Sequence, residues 1–275
     1  MAEPAALLTA LLDDLRAESE ELDALVAGLA PVGWAMATPA PGWTVAHQIS
    51  HLAWTDRIAL IAATDPDGFT AVVEAALADP GGYVDAGAVE GIEEAPGVLL
   101  ARWRDGRAAL AAALVGVEPG AKLPWLGPAM SAASMATARL METWAHGQDV
   151  ADALGIERTP TARLRNIAHL GVRTRSFGYL VHGQPAPEGE VRVELTAPDG
   201  QLWTWGPDDA ADRVTGPALD FCLLVTQRRH RSDLGLVATG GADTWLDVAQ
   251  VFAGPPGAGR PPGANAAASN AELSA

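Results

Sequence analysis

Two short stretches of this sequence hold side chains whose types and spacing suit metal chemistry: HQISHLAWTD at 47–56 and METWAHGQDV at 141–150. His47 and His51 are four positions apart, as are Glu142 and His146, so each pair shares one face if its segment is helical. Bundle proteins build metal centres in this way, from carboxylates and imidazoles projecting inward from facing helices. Nitrogen plus carboxylate oxygen suits zinc or another borderline divalent ion. The plainer alternative is a set of hydrogen-bonded polar residues on apolar helices, since an E-x-x-x-H pair arises readily by chance. An inward glutamate is costly unless it is paired or coordinating, which weighs towards the metal.

The elements that would position these groups follow from apolar periodicity. Residues 5–29 carry Leu8, Leu11, Leu15, Leu22, Leu25, Val26 and Leu29 between acids, the repeat of an amphipathic helix. Thr44 is a plausible N-cap for a second helix running to about Ala63, where TDPDG stops it. Short helical pieces are expected over 67–93. A third long helix spans about 94–115 with Pro96 in its first turn, and a fourth runs from SAASM to Gly155. Four long helices without a strand pattern describe a helical bundle over 1–157.

Beyond Pro160 the pattern changes. Residues 161–182 read as a helix, and VRVELTAPDGQLWTW gives two alternating strands around an Asp199-Gly200 turn. GPALDFCLLVTQRR and DTWLDVAQVFA read as helical, so 158–253 is expected to be a small α+β domain. Residues 254–275 are Pro, Gly, Ala and Asn without a hydrophobic pattern and read as a disordered tail. No internal repeat is apparent.

Composition excludes several partners. The net charge of -16 and the single lysine, Lys122, argue against nucleic acid or an anionic membrane surface. The stretch from Ala24 to Thr55 lacks Asp, Glu, Lys and Arg, but Gly28, Pro31, Gly33, Pro39, Pro41 and Gly42 break it, so it is no membrane span. The acidic N-terminus does not read as a secretory or transit leader, and the one cysteine, Cys222, cannot form an internal disulfide. A cytoplasmic protein is expected. Cys222 lies in the apolar run ALDFCLLV and is expected to be inert packing.

The combination of GWTVAHQISHLAWTD, MSAASMATARLMETWAHGQDVADALG and DRVTGPALDFCLLVTQRR resembles the actinobacterial branch of the DinB-like superfamily that includes mycothiol-dependent maleylpyruvate isomerase. The resemblance reaches to about Ala253 and is most specific in the two helix motifs. It implies a mainly α fold, a DinB-like four-helix bundle followed by a small α+β, sterol-carrier-like C-terminal domain. It further implies a divalent metal, usually zinc, held by His51, Glu142 and His146, with mycothiol as cosubstrate. His47 falls outside this triad, leaving it as a supporting donor, a substrate contact or a fourth ligand, with the first two preferred.

Three protein ligands leave one position open, as catalytic zinc sites do, and an ion there can generate a thiolate at neutral pH. The implied reaction is attack of the thiol on an electrophilic small molecule. An adduct that collapses after bond rotation gives isomerisation; one that persists makes the enzyme an S-transferase. Hydrolysis on the same site and a non-catalytic metal- or ligand-binding stress protein are the alternatives. Trp54 and Trp144 are candidates for the pocket wall or for core packing. Asp149 is a candidate to orient His146, or to cap or pair on the helix surface. Arg228 is the candidate to bind a substrate carboxylate, from its match to an arginine of the resembled family. Bundles of this superfamily often pair, so a homodimer is open.

Overall fold

The computed structural model describes residues 2–254, 256–257 and 259–263. The chain divides into two compact units, Met1–Ile156 and Glu157–Ala275.

In the first unit the helices run in the order α1 (Ala2–Val26), α2 (Pro31–Trp34), α3 (Val45–Thr64), α4 (Phe69–Ala78), α5 (Tyr83–Val89), α6 (Pro96–Val115) and α7 (Ala132–Leu154). The four long ones, α1, α3, α6 and α7, are those the apolar periodicity calls for, and α3 and α1 each pack against both α6 and α7. Pro96 opens α6, where a missing N–H costs nothing. Ser131 caps α7, its hydroxyl accepting from the Ser134 N–H at 3.1 Å, and the helix stops at Gly155 in the left-handed conformation. Leu22, Ile49, Leu52, Leu99, Trp103 and Val150 form one end of the core, and Leu110, Leu114 and Met135 are part of the other. Each such side chain contributes about 1.5–3 kcal/mol by leaving water.

One buried ion pair ties α3 to α7. Arg139 Nε donates to Asp56 Oδ1 at 2.9 Å, with the two side chains 2% and 6% exposed. Asp56 lies on the helix that carries His51, and Arg139 sits one turn before Glu142. The pair therefore constrains the two elements whose relative register sets the candidate site.

The second unit contains α8 (Leu164–Arg173), α9 (Arg175–Val181), β1 (Val191–Thr196), β2 (Leu202–Trp205), β3 (Asp212–Pro217), α10 (Ala218–Val225), β4 (Val237–Thr239) and α11 (Ala242–Val248). The sheet order is β2-β1-β3-β4. The expected hairpin is present: β1 and β2 pair antiparallel, with Val193 opposite Trp205 and Thr196 opposite Leu202. Two strands depart from the sequence expectation. β3 pairs parallel with β1, and β4 pairs antiparallel with β3. DRVTGP carries Gly216 and Pro217 at its end and buries only Val214 fully, so it offers no alternation; β4 has three residues, too few to show any. To reach the far side of β1, the chain leaving β2 turns at Gly206 (φ +76°), where a Cβ would sit 2.0 Å from Val191 O. Only glycine fits that crossing.

The helix expected over 161–182 is two helices with a break at Thr174. Its hydroxyl bonds back to Leu170 O at 3.0 Å and to Gly171 O at 3.2 Å. Of the segment read as a disordered tail, residues 255, 258 and 264–275 lie outside the described residues. Arg260 is 8% exposed, and the Gly263 N–H donates to Asp233 Oδ2 at 2.8 Å, so these described residues lie against the second unit. Among the described residues no helix is long and apolar enough to cross a membrane.

Candidate metal centre

Helices α3 and α7 bring three of the four opening residues together. His51 Nε2 lies 3.4 Å and His146 Nε2 3.2 Å from the same oxygen, Glu142 Oε2. Each residue offers one donor atom, and the three donors lie within 4.8 Å of one another. The two imidazole rings are tilted at 45° with centroids 4.4 Å apart. His51 and His146 side chains are 7% and 11% exposed, and that of Glu142 is 21% exposed. Burial pushes the Glu142 carboxyl up, but hydrogen bonding and charge from His146 and His51 prevail and hold it well below the usual carboxylate range.

The donor set fits a divalent ion. Two imidazole nitrogens and one carboxylate oxygen converge from two rigid helices, and the remaining ring nitrogen of His51, Nδ1, is buried without a hydrogen-bond partner. An ion held by these three donors would keep a further position for another ligand.

His47 is not part of this cluster. Its Nδ1 accepts from the Thr44 N–H at 3.2 Å and lies 2.8 Å from Thr44 Oγ1, taking the place that Glu or Gln holds in a capping box at the start of α3. Burial lowers the His47 pKa, against an opposing pull from Asp85. The residue that faces all three imidazoles is instead Trp43, in the loop before α3. Its ring stacks on His146 at 5.9 Å and 16°, meets His51 at 5.2 Å, and lies 6.3 Å from His47. Its Nε1 donates to Asp85 Oδ1 at 3.1 Å, which ties this platform to α5. Sequence reasoning read TPAPGW as a connection only; the one available signal was an indole four positions before His47 and eight before His51.

Trp54 does stand beside the site, its ring 6.0 Å from that of His51. It also packs edge-on to Tyr83 at 5.1 Å and into the core. A Cβ on Gly87 would fall 2.3 Å from the Trp54 ring, so α5 can approach α3 only with glycine there. Trp144 is 5% exposed; two positions from Glu142, it projects from the opposite side of α7.

His146 bonds to Gln48, a further candidate to orient it that the sequence reading passed over. Gln48 Oε1 lies 2.5 Å from His146 Nδ1, and the amide is fully buried. Asp149, the candidate for that task, is 2% exposed in α7.

Arg228 belongs to the second unit, just past α10, where its Nη1 donates to Thr226 O at 2.6 Å. The preceding Gln227 has φ 59°, in the left-handed region. Cys222 is fully buried in α10, its thiol donating to Leu164 O at 3.4 Å, and burial drives its pKa far above the usual thiol range. We expect no alkylation of Cys222 by iodoacetamide at pH 8 in the folded protein, and complete alkylation in denaturant, read by mass spectrometry.

Fold and site together define a helical-bundle protein with a candidate His–Glu–His metal centre. Residues 15–151 match the family model described as the mycothiol maleylpyruvate isomerase N-terminal domain. Residues 187–239 match a model described as wyosine base formation. Two proteins from strains of Mycobacterium tuberculosis, both described as uncharacterized, are 59% identical over 248 residues, covering 90% of this chain and 96% of each relative. The crystal structure of the mycothiol-dependent maleylpyruvate isomerase aligns at TM-score 0.57 and 17% identity, over 84% of this chain and 92% of that one. A histidine-to-alanine mutant of that isomerase aligns at 0.56 and 18%. At such identity the structural likeness speaks for the fold. The chain belongs to the mycothiol maleylpyruvate isomerase-like family.

Proposed function

We propose that this protein is a metal-dependent mycothiol S-transferase or isomerase acting on an electrophilic small molecule in the cytoplasm. The observation that carries the reading is the convergence of His51 Nε2, Glu142 Oε2 and His146 Nε2 from two facing helices. These three would hold the ion, for which zinc fits the donor chemistry. When bound, such an ion acidifies a thiol and holds it as the thiolate.

The chain's own residues supply the rest. Glu142 contributes the one negative charge of the donor set, and Gln48 Oε1 meets His146 Nδ1. Trp43 covers His51 and His146 from one side and excludes water there. His47 acts through the cap of α3, keeping the first turn that bears Gln48 in place. Arg228 is our candidate for pairing with a substrate carboxylate through its planar fork.

In the reaction the thiol sulfur forms a bond to the electrophilic carbon of an activated alkene, and the π electrons move onto the conjugated carbonyl. Rotation followed by loss of the sulfur regenerates the alkene in the other geometry and returns the thiol. Protonation at carbon instead leaves a stable thioether.

The test is to incubate zinc-loaded protein with mycothiol and a panel of activated alkenes and other electrophiles, maleylpyruvate among them. Conjugate formation, or isomerisation without net loss of thiol, is expected for at least one member. Stoichiometric metal with no thiol-dependent turnover would favour the binding-protein reading, and turnover independent of thiol would favour a hydrolase.

A further inference from the structure

We propose that a hydrogen-bond relay from the Trp43 carbonyl through Thr38 and Gln48 sets the tautomer of His146 and so makes Gln48 the positioning residue of the metal centre. The inference rests on the metal-site reading above and extends it to residues outside the donor set. Its logic is one of hydrogen-bond polarity. A backbone carbonyl can only accept, so the Thr38 hydroxyl, 2.9 Å from Trp43 O, must donate to it. With its proton committed, Thr38 Oγ1 accepts from Gln48 Nε2 at 2.9 Å. This fixes the amide: the NH2 faces Thr38 and Oε1 faces His146 Nδ1 at 2.5 Å. An amide oxygen can only accept, so Nδ1 must carry hydrogen.

The consequence falls on the other ring nitrogen. With Nδ1–H engaged, the Nε2 lone pair, 3.2 Å from Glu142 Oε2, is left for a cation: a metal ion, or a proton competing for the same place. Gln48 is 0% exposed, so no water substitutes for either contact without opening the bundle. The Trp43 ring closes the circuit: the residue whose carbonyl starts the relay stacks on the imidazole at its end. A neutral amide in this role also leaves Glu142 as the sole anion of the convergent donor cluster, where a carboxylate orienter would add a second.

Two measurements decide the matter. The first is long-range 1H–15N NMR on histidine-labelled, metal-free protein at a single alkaline pH. His146, identified by its loss in His146→Asn, is expected as the neutral tautomer with hydrogen on Nδ1; a neutral form with bare Nδ1 overturns the relay. This arm reads the relay whether or not the protein takes a metal.

The second is zinc affinity by competition with a chromophoric chelator. Gln48→Met and Thr38→Val are expected to weaken binding by about 10–100-fold, the usual cost of losing an orienting partner, and Thr38→Ser to return it to near the wild-type value. Wild-type affinity in Gln48→Met, with urea unfolding unchanged, overturns the positioning role while leaving the metal centre standing. Absence of zinc binding in the wild type sinks the metal-site reading instead. Should Gln48→Met not fold, the Thr38→Val and Thr38→Ser pair carries the same comparison at a partly exposed position.

Discussion

Replacing Glu142 by alanine is expected to abolish retention of a divalent ion by the protein. Its Oε2 is the one atom that both imidazole Nε2 atoms approach, at 3.4 Å for His51 and 3.2 Å for His146. Removing it takes away one of three protein donors and the only negative charge of the cluster, leaving two neutral imidazoles that water can outcompete for the metal. Loss of an outer orienting residue typically costs 10–100-fold in affinity, so loss of a direct ligand is expected to exceed about 100-fold. Metal analysis after dialysis should then find about one equivalent in wild type and almost none in the variant. Glu142→Gln, which keeps the volume and loses the charge, is expected to behave nearly as badly. One equivalent retained by either would remove Glu142 from the ligand set. Binding should also weaken as the pH is lowered, because protons compete with the ion for every donor.

The largest effect on stability is expected at Asp56. Burial raises its pKa even against the charge and hydrogen bond of Arg139. Arg139 Nη2 is already buried without a partner. Asp56→Ala would strand the whole guanidinium in the core between α3 and α7, a loss of about 3–5 kcal/mol. Replacing both partners, as in Asp56→Leu with Arg139→Met, removes the charge as well as the bond and is expected to recover most of that loss. Urea unfolding of the two single variants and the double variant tests this. A double variant as unstable as Asp56→Ala would mean that shape, not charge, is what the site requires. Because the pair spans the helices carrying His51 and Glu142, a folded Asp56→Asn variant is expected to bind metal more weakly than wild type.

The four long helices were legible because their apolar residues repeat at helical spacing, and the hairpin because alternating strands flank Asp199-Gly200. The sheet beyond the hairpin was not. β3 ends in Gly-Pro and β4 is three residues long, and what makes them strands is pairing, β3 with β1 and β4 with β3, which no local pattern reveals. The same division holds at the site. His51, Glu142 and His146 stood out because ionisable residues at i, i+4 on apolar helices need a reason to be there. Trp43, Thr38 and Gln48 carry no such signal. A tryptophan in a Pro/Gly-rich loop, a threonine and a glutamine are ordinary residues until the turn over 36–44 folds back on α3. His47 shows the opposite limit: the i, i+4 spacing to His51 is real, but the first turn of the helix directs its third residue to the cap. Asp56 and Arg139 passed unnoticed because a charge on a helix reads as surface unless its partner, on another helix, is known.

On the function proposed above, His51, Glu142 and His146 hold an ion that receives a thiol. X-ray absorption at the zinc edge, on the zinc-loaded protein with and without mycothiol, tests it most directly. A shell of nitrogen and oxygen at about 2.0–2.1 Å, with imidazole scattering, is expected without thiol, and one added sulfur at about 2.3 Å with it. A shell unchanged by mycothiol, or one without imidazole scattering, would contradict it.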